Sequence, residues 1–332
     1  MDYKLVIKNI KEKKFEKIYF LHGEEPFYID EITDVVIKYA LDDSERDFNQ
    51  TILYGKDTEL LNLISELKSY PMMAERRLVV LKEAQDFKDL EKLDAYLSDP
   101  LDTTVFVIAY KYDTYDARKK ALKAVASNGL IFKSDKVKEY LLGDWIQTYV
   151  SSVGFKITGK ACMLLIEFLG NDLGKIVNEL DKLAILLEKG TSISEIHIEE
   201  NIGISKDYNT FELTNAFNKR DVTKAFQIVN YFSHNPKAAD INAVIPLVFK
   251  YFGQLMRIHF LPNKSKEAVQ AALKVHPYVA GELLSASRLY DPKKIAINIA
   301  ILQEFDLRAK GLGNSSFTQG ELMQEMVYRL LH

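Results

Sequence analysis

The sequence predicts an α/β region followed by an all-helical region, and three observations carry that expectation. Over residues 1 to about 135, five short runs rich in Val, Ile, Leu, Phe and Tyr alternate with stretches whose apolar residues recur about every 3.6 positions. From about residue 136 the β-type runs give out and helical spacing continues to the end. The prolines at 236, 262, 277 and 292 fall between helical stretches or in their first turns, where the missing N–H would have had no helical partner.

Taken in order, 17–21 (KIYFL) reads as a strand and 27–40 as an amphipathic helix. Strands at 50–54 (QTILY), 77–81 (RLVVL), 104–110 (TVFVIAY) and 130–133 (LIFK) alternate with helices at 58–69, 90–97 and 116–126. Strands separated by helices need crossover connections, so the sheet is expected to be largely parallel and covered by helices. Helices at 137–153, 159–169, 172–187 and 196–202 form a compact group, and 203–208 (GISKDY) reads as a linker. Within this group, Asn171 or Asp172 caps a helix whose buried stripe is Leu173, Ile176 and Leu180, with Lys175 and Glu179 outward. A second group begins at 210 and continues through 222–232, 239–261, 266–275, 277–289, 292–311 and 319–331.

A chain of 332 residues accommodates two or three domains, and 47% hydrophobic with 27% charged residues describes an ordinary globular protein. No apolar run reaches the length of a membrane span and the N-terminal segment has no signal-peptide core, so the expected location is the cytoplasm. Cys162 is the only cysteine and lies in an apolar helix, which excludes a disulfide framework and a cysteine-based zinc site. The histidines at 22, 197, 234, 259, 276 and 332 lack metal-ligand spacing, and no cofactor is expected. Net charge is −3, but residues 209–332 hold 15 Lys and Arg against 10 Asp and Glu. That mild excess permits contact with nucleic acid without predicting autonomous DNA binding, and solvated surface charge is the preferred explanation.

The turn after the first strand matters most for function. A phosphate-cradling loop needs the pattern GxxxxGK(S/T), whose glycines let backbone N–H groups converge on an anion. Residues 22–27 here are HGEEPF, with a single glycine. Glu24 and Glu25 stand where phosphate would stand, with Asp30 and Glu31 in the following turn, so the helix N-terminus already has its negative charge. The scaffold reads as a nucleotide fold that has stopped binding nucleotide.

Five segments in this order resemble the delta-subunit family of bacterial DNA polymerase III: YFLHGEEPFYIDE (19–31), SYPMMAERRLVVLKEA (69–84), GNDLGKIVNELDKL (170–183), DYNTFELTNAF (207–217) and EFDLRAKG (304–311). The resemblance spans essentially the whole chain. It implies an AAA+-like parallel-sheet domain at 1–135 with a clamp-binding element and a degenerate phosphate loop, a helical lid at 136–208, and a helical collar for oligomerisation at 209–332. It implies a clamp-loader subunit that opens the ring-shaped sliding clamp, the beta subunit, for loading onto primer–template DNA. Its expected partners are that clamp, the clamp-loader ATPase and delta-prime subunits, and primer–template DNA within the assembly. No enzymatic activity is expected of the isolated chain, although it would belong to a nucleotidyltransferase holoenzyme. In AAA+ ATPases an apolar strand ends in Asp-Glu to hold Mg²⁺, whereas after 78–81 this chain has Lys82-Glu83.

In the resembling family the clamp-binding element is a short helix projecting two adjacent apolar side chains into a pocket on the clamp. The matching positions are Met72 and Met73, a departure from the Leu-Phe type of pair, and methionine is adaptable enough to fill such a pocket. Without the resemblance, the same two residues read as caps on a helix and strand core. Pro71 would pre-set the first helical turn, and Arg76 and Arg77 either rim the contact, stay solvated at the surface or form intramolecular ion pairs. Phe211, Leu213 and Phe217 supply either collar core or intersubunit contact. Lys111, Asp113, Arg118, Lys119 and Lys120 form either a basic loop for DNA backbone or a solvated helix start. Two alternatives are an active AAA+ ATPase subunit of a replication machine, which would need the phosphate loop and the acidic metal ligand, and a helical protein–protein adaptor with no DNA role. The delta-prime type of subunit usually carries zinc-ligating cysteines, which a single cysteine cannot provide.

Overall fold

The computed structural model of the chain describes residues 3–203, 207–313 and 316–332. The chain divides into two compact units, Met1–Val137 and Lys138–His332.

The first unit runs α1 (Tyr3–Lys11), β1 (Ile18–Gly23), α2 (Pro26–Tyr39), α3 (Arg46–Asn49), β2 (Gln50–Tyr54), α4 (Leu60–Lys68), β3 (Arg77–Lys82), α5 (Asp94–Ser98), β4 (Thr104–Lys111), α6 (Lys120–Asn128) and β5 (Leu130–Ser134). Its five strands form one parallel sheet in the order β2-β3-β4-β1-β5. In β1, Ile18 faces Phe106 of β4 and Tyr19 faces Leu130 of β5, while Gln50 opens the edge pairing with Leu78. Because strand side chains alternate between faces, the sheet carries two cores. Ile18, Phe20, Val79, Leu81, Phe106 and Ile108 pack with residues of α4, α5 and α6 on one side. Tyr19, Leu21, Leu78, Val80, Val105 and Val107 pack with α1 and α2 on the other. Both faces of the central strands β3, β4 and β1 are covered, which is why these read as nearly unbroken apolar runs, whereas the edge strand β2 is part-exposed.

The sequence reading missed α1: its buried Val6 and Ile10 are one turn apart in a stretch otherwise full of lysine. The helix expected at 116–126 starts only at Lys120, because the Asp116 carboxylate takes the Arg118 N–H (2.9 Å) in a local turn that competes with helix.

The second unit runs α7 (Glu139–Ser152), β6 (Lys156–Ile157), α8 (Gly159–Leu169), α9 (Leu173–Leu186), β7 (Ser192–Ile193), α10 (Glu195–Ile202), α11 (Thr210–Lys219), α12 (Val222–His234), α13 (Ile241–His259), α14 (Lys266–Leu273), α15 (Pro277–Ala286), α16 (Pro292–Ala309) and α17 (Gln319–Leu331). β6 and β7 pair in parallel over two residues each, too short for any periodicity to announce them. Residues 204–206 of the expected linker lie outside the described residues. Asp172 caps α9 by accepting the Lys175 N–H (3.1 Å), and Leu173, Ile176 and Leu180 are buried as expected. Asn209, Asp221, Asp240, Ser265, Asp291 and Thr318 each cap a helix by accepting the N–H three residues on. From α11 onward the helices enclose one hydrophobic core that includes Phe217, Phe232, Phe252, Tyr290 and Phe305. Cys162 is buried in α8, where burial pushes its thiol up to about 12. No helix among the described residues is long and apolar enough to cross a membrane.

Candidate functional site

The turn between β1 and α2 is closed by the chain's own groups. Gly23 adopts φ +141°, and its backbone lies so near β5 that a Cβ would stand 2.0 Å from the Ser134 carbonyl oxygen. The Glu25 N–H donates to the Ser134 carbonyl (3.2 Å), and the Ser134 hydroxyl donates to the Glu25 carbonyl (2.6 Å). Glu25 is buried and caps α2, its carboxylate accepting the Phe27 N–H at 3.2 Å. Of the two glutamates expected at the anion position, Glu25 takes it and Glu24 is exposed to solvent. His22, buried at the end of β1, accepts the Tyr115 N–H at Nδ1 (3.1 Å). Burial, with Lys133 adding, holds its imidazole below the ordinary value and therefore neutral.

The strand ends beside this turn carry a cluster of charges that also pair with one another. Lys111, at the end of β4 and only 7% exposed, places its ammonium 2.7 Å from an Asp30 carboxylate oxygen and 2.9 Å from one of Glu83. Gln85 ties the cluster together: its Nε2 donates to Glu83 (2.6 Å) and its Oε1 accepts the Lys111 N–H (3.0 Å). Lys82 turns to Asp34 (3.6 Å). Burial works against the Lys111 charge, but Asp30 and Glu83 outweigh it and hold its pKa above the ordinary value. Burial likewise works to raise Glu83, and the bonds from Lys111 and Gln85 overcome it, so its carboxyl sits below 4.5. Glu83 therefore contributes stability that is present above pH 4.5 and lost as pH falls through its depressed value; Lys111 contributes below pH 10.5 and loses its share as pH rises through its raised value.

Lys111→Met is expected to cost about 2 kcal/mol at pH 7, less than a fully buried pair because both carboxylates are part-exposed. The deficit should shrink at pH 3.5, where a protonated Glu83 no longer repels Asp30. Urea unfolding at the two pH values measures this, and equal stability of variant and wild type at pH 7 would remove the account.

The loop between α4 and β3 carries the methionine pair. Met72 is 60% exposed and Met73 fully exposed, so neither caps a core. The short helix implied for this element does not form: residues 72–75 make a bend, and Met73 takes a left-handed φ of +55° that no right-handed helix accommodates. Pro71, half-buried, consequently precedes a bend rather than a helical turn. The backbone is held by Asn49, the last residue of α3 and fully buried. Its Oδ1 accepts the Met72 N–H (2.7 Å) and its Nδ2 donates to the Met72 carbonyl (2.9 Å), the latter a group that a helix would have paired internally. Arg77 braces the same corner from below: it donates to the Phe48 carbonyl (3.1 Å) and the Thr51 hydroxyl (3.2 Å) and pairs with Glu66. Of its three expected roles the geometry gives it the intramolecular one. Arg76 lies over the Phe15 ring at 4.8 Å and pairs with the exposed Glu75. Phe48 (64% exposed) and Tyr70 (72%) are further apolar side chains on neighbouring positions of these segments. Sequence reasoning missed Asn49 and Phe48, because no spacing rule links residue 49 to residue 72.

Of the other expected site residues some stay at the surface and some do not: Arg118, Lys119 and Lys120 are solvent-accessible, whereas Lys111 is buried. Lys111 is consumed by its carboxylates; Arg118 pairs with Asp116 (2.7 Å), and Lys119 with Glu91 (3.0 Å). Asp113 bridges to Gly23 by its backbone, and Lys120 is exposed at the start of α6. Leu213 and Phe217 are wholly buried in the helical core, where the Phe217 carbonyl accepts the Tyr290 hydroxyl (2.9 Å), so neither reaches a surface. Phe211 is half-buried and lines a cavity of about 430 Å³, its ring 6.2 Å from that of Tyr278.

A parallel sheet of this order, covered by helices on both sides and followed by a helical unit, is an AAA+-like fold. Residues 19–135 match the family model described as DNA polymerase III, delta subunit, and residues 207–324 match that of the delta subunit's C-terminal domain. The DNA polymerase III subunit delta of Bacillus subtilis (strain 168) is 24% identical over 322 residues, covering 92% of this chain and 91% of the relative. The solved structure of a Bacillus subtilis DNA clamp loader delta protein has the same fold at a TM-score of 0.54, with 21% identity over 99% of both chains. The chain belongs to the DNA polymerase III delta subunit family.

Proposed function

We propose that this chain binds the ring-shaped sliding clamp, the beta subunit, through Met72 and Met73 and stabilises its open interface for loading onto primer–template DNA. The observation that carries the reading is the methionine pair, presented to solvent on a turn whose backbone is fixed from both sides. Two flexible apolar side chains on a rigid base suit insertion into an apolar pocket. Opening needs no hydrolysis by this chain. A ligand moves a 1:99 population to 99:1 by binding the favoured form with about 5.5 kcal/mol of differential affinity.

The same proposal makes the chain a non-ATPase. Glu25 at the α2 N-terminus and the Lys111 ammonium between Asp30 and Glu83 supply internally the charges that phosphate and its metal would bring. Timing then falls to the clamp-loader ATPase and delta-prime subunits, with which it would assemble in the cytoplasm. The division into an α/β domain at 1–135, a lid at 136–208 and a collar at 209–332 belongs to this reading. A hydrophobic core drawn from residues 213–331 alone supports the last of these.

The test is binding of the purified chain to its own sliding clamp, together with release of preloaded clamps from nicked circular DNA, both without nucleotide. Binding and release that ATP leaves unchanged are expected. A folded chain that neither binds nor releases the clamp would refute the reading, and saturable ATP binding by the isolated chain would overturn its non-ATPase part.

A further inference from the structure

The geometry points to Asn49 as the positioning residue of the methionine turn, an inference that rests on the clamp reading and adds to it. The residue is wholly buried although its side chain is a carboxamide, and all of that polarity is spent locally. One Nδ2 hydrogen goes to the Glu45 carbonyl (3.0 Å) within its own helix, the other to the Met72 carbonyl (2.9 Å), and Oδ1 takes the Met72 N–H (2.7 Å). Both polar groups of one residue's backbone are thus paired to a single side chain 23 positions earlier in the chain, as a neighbouring strand would pair them.

The next residue explains why the turn needs holding. Met73 is left-handed at φ +55° with a side chain free of intramolecular cover. An L-residue with a long side chain disfavours that region, and nothing buried compensates it on the Met73 side. Released from Asn49, residues 71–75 would spread over right-handed and extended conformers, and binding would then have to order them again. Pre-organisation by Asn49 removes that cost from association. Neighbouring groups cannot substitute for it: Arg77 holds Phe48 and Thr51, and Arg76 lies on Phe15.

The experiment is a double-mutant cycle on clamp affinity combined with amide hydrogen exchange. Asn49→Ala is expected to weaken nucleotide-free clamp binding about 10-fold, and to add less than about twofold when Met72 and Met73 are already alanine, since its effect passes through their side chains. The Met72 amide, protected in wild type, should exchange at the rate of an open loop in Asn49→Ala while amides of β3 and β4 stay protected. Asn49→Asp keeps the acceptor and loses the donor, so it should restore part of the Met72 protection and give an intermediate affinity. Full additivity in the cycle, or unchanged Met72 exchange in Asn49→Ala, would overturn the proposal. Should Asn49→Ala unfold, Asn49→Asp carries both readouts by itself. If wild type fails to bind the clamp, the clamp reading falls, and the exchange arm still decides whether Asn49 fixes the turn.

Discussion

Met72→Ala/Met73→Ala is expected to weaken binding to the sliding clamp by about 100-fold, the loss of roughly 2.7 kcal/mol that a two-residue hot spot carries. Each substitution removes apolar length that is 60% or fully exposed in the free chain and buried only in a complex. For the same reason folding stability should change by less than about 0.5 kcal/mol, as for surface positions in general. The backbone clamp from Asn49 involves main-chain groups of Met72 and survives the change. Calorimetric titration of the clamp, with urea unfolding as control, separates the two quantities. An affinity within threefold of wild type would mean that the pair is not the contact.

Gly23→Ala should destabilise the α/β unit by about 3 kcal/mol or more, through a strained φ and a steric overlap acting together. At φ +141° the backbone of Gly23 is in a region that only glycine populates readily. The added Cβ would lie 2.0 Å from the Ser134 oxygen and 2.6 Å from its carbonyl carbon, backbone atoms that have no rotamer by which to retreat. Relief requires the end of β5 to move, which breaks the two hydrogen bonds joining Ser134 to Glu25. The loss should appear in denaturant midpoints of the variant. Unaltered unfolding would show that the loop is looser than its packing indicates.

Much of this was legible without coordinates. The central strands β3, β4 and β1 announced themselves because a parallel sheet covered on both faces demands apolar residues at almost every position, and the edge strands β2 and β5 through their β-branched and aromatic residues. The α9 start at Asp172 was legible because capping is decided within four residues, and the degenerate phosphate turn because a phosphate loop is defined by local spacing. The short helix expected around Met72 failed for a reason no local rule contains: Asn49, from another element, takes the Met72 carbonyl that a helix would pair, and Met73 turns left-handed beside it. Phe211, Leu213 and Phe217 are of one kind by composition, and only the packing of the later helices distinguishes the half-buried one from the two in the core. Lys111 looked like a loop cation until the sheet order set its strand end beside Asp30 and Glu83.

By itself, then, the sequence determined the five strands of the main sheet and most of the helices, and that the turn after the first strand lacks the phosphate-loop spacing, since each depends on neighbours within a few residues; the two methionines became candidates for a partner only through resemblance along the whole chain. The tertiary structure alone decided which charges cancel, which apolar side chains stay outside, and what holds Met72. Those outcomes depend on contacts between residues 23 to 81 positions apart, such as Asn49 with Met72 and Lys111 with Asp30. They arise from strand order and burial, which no local pattern encodes.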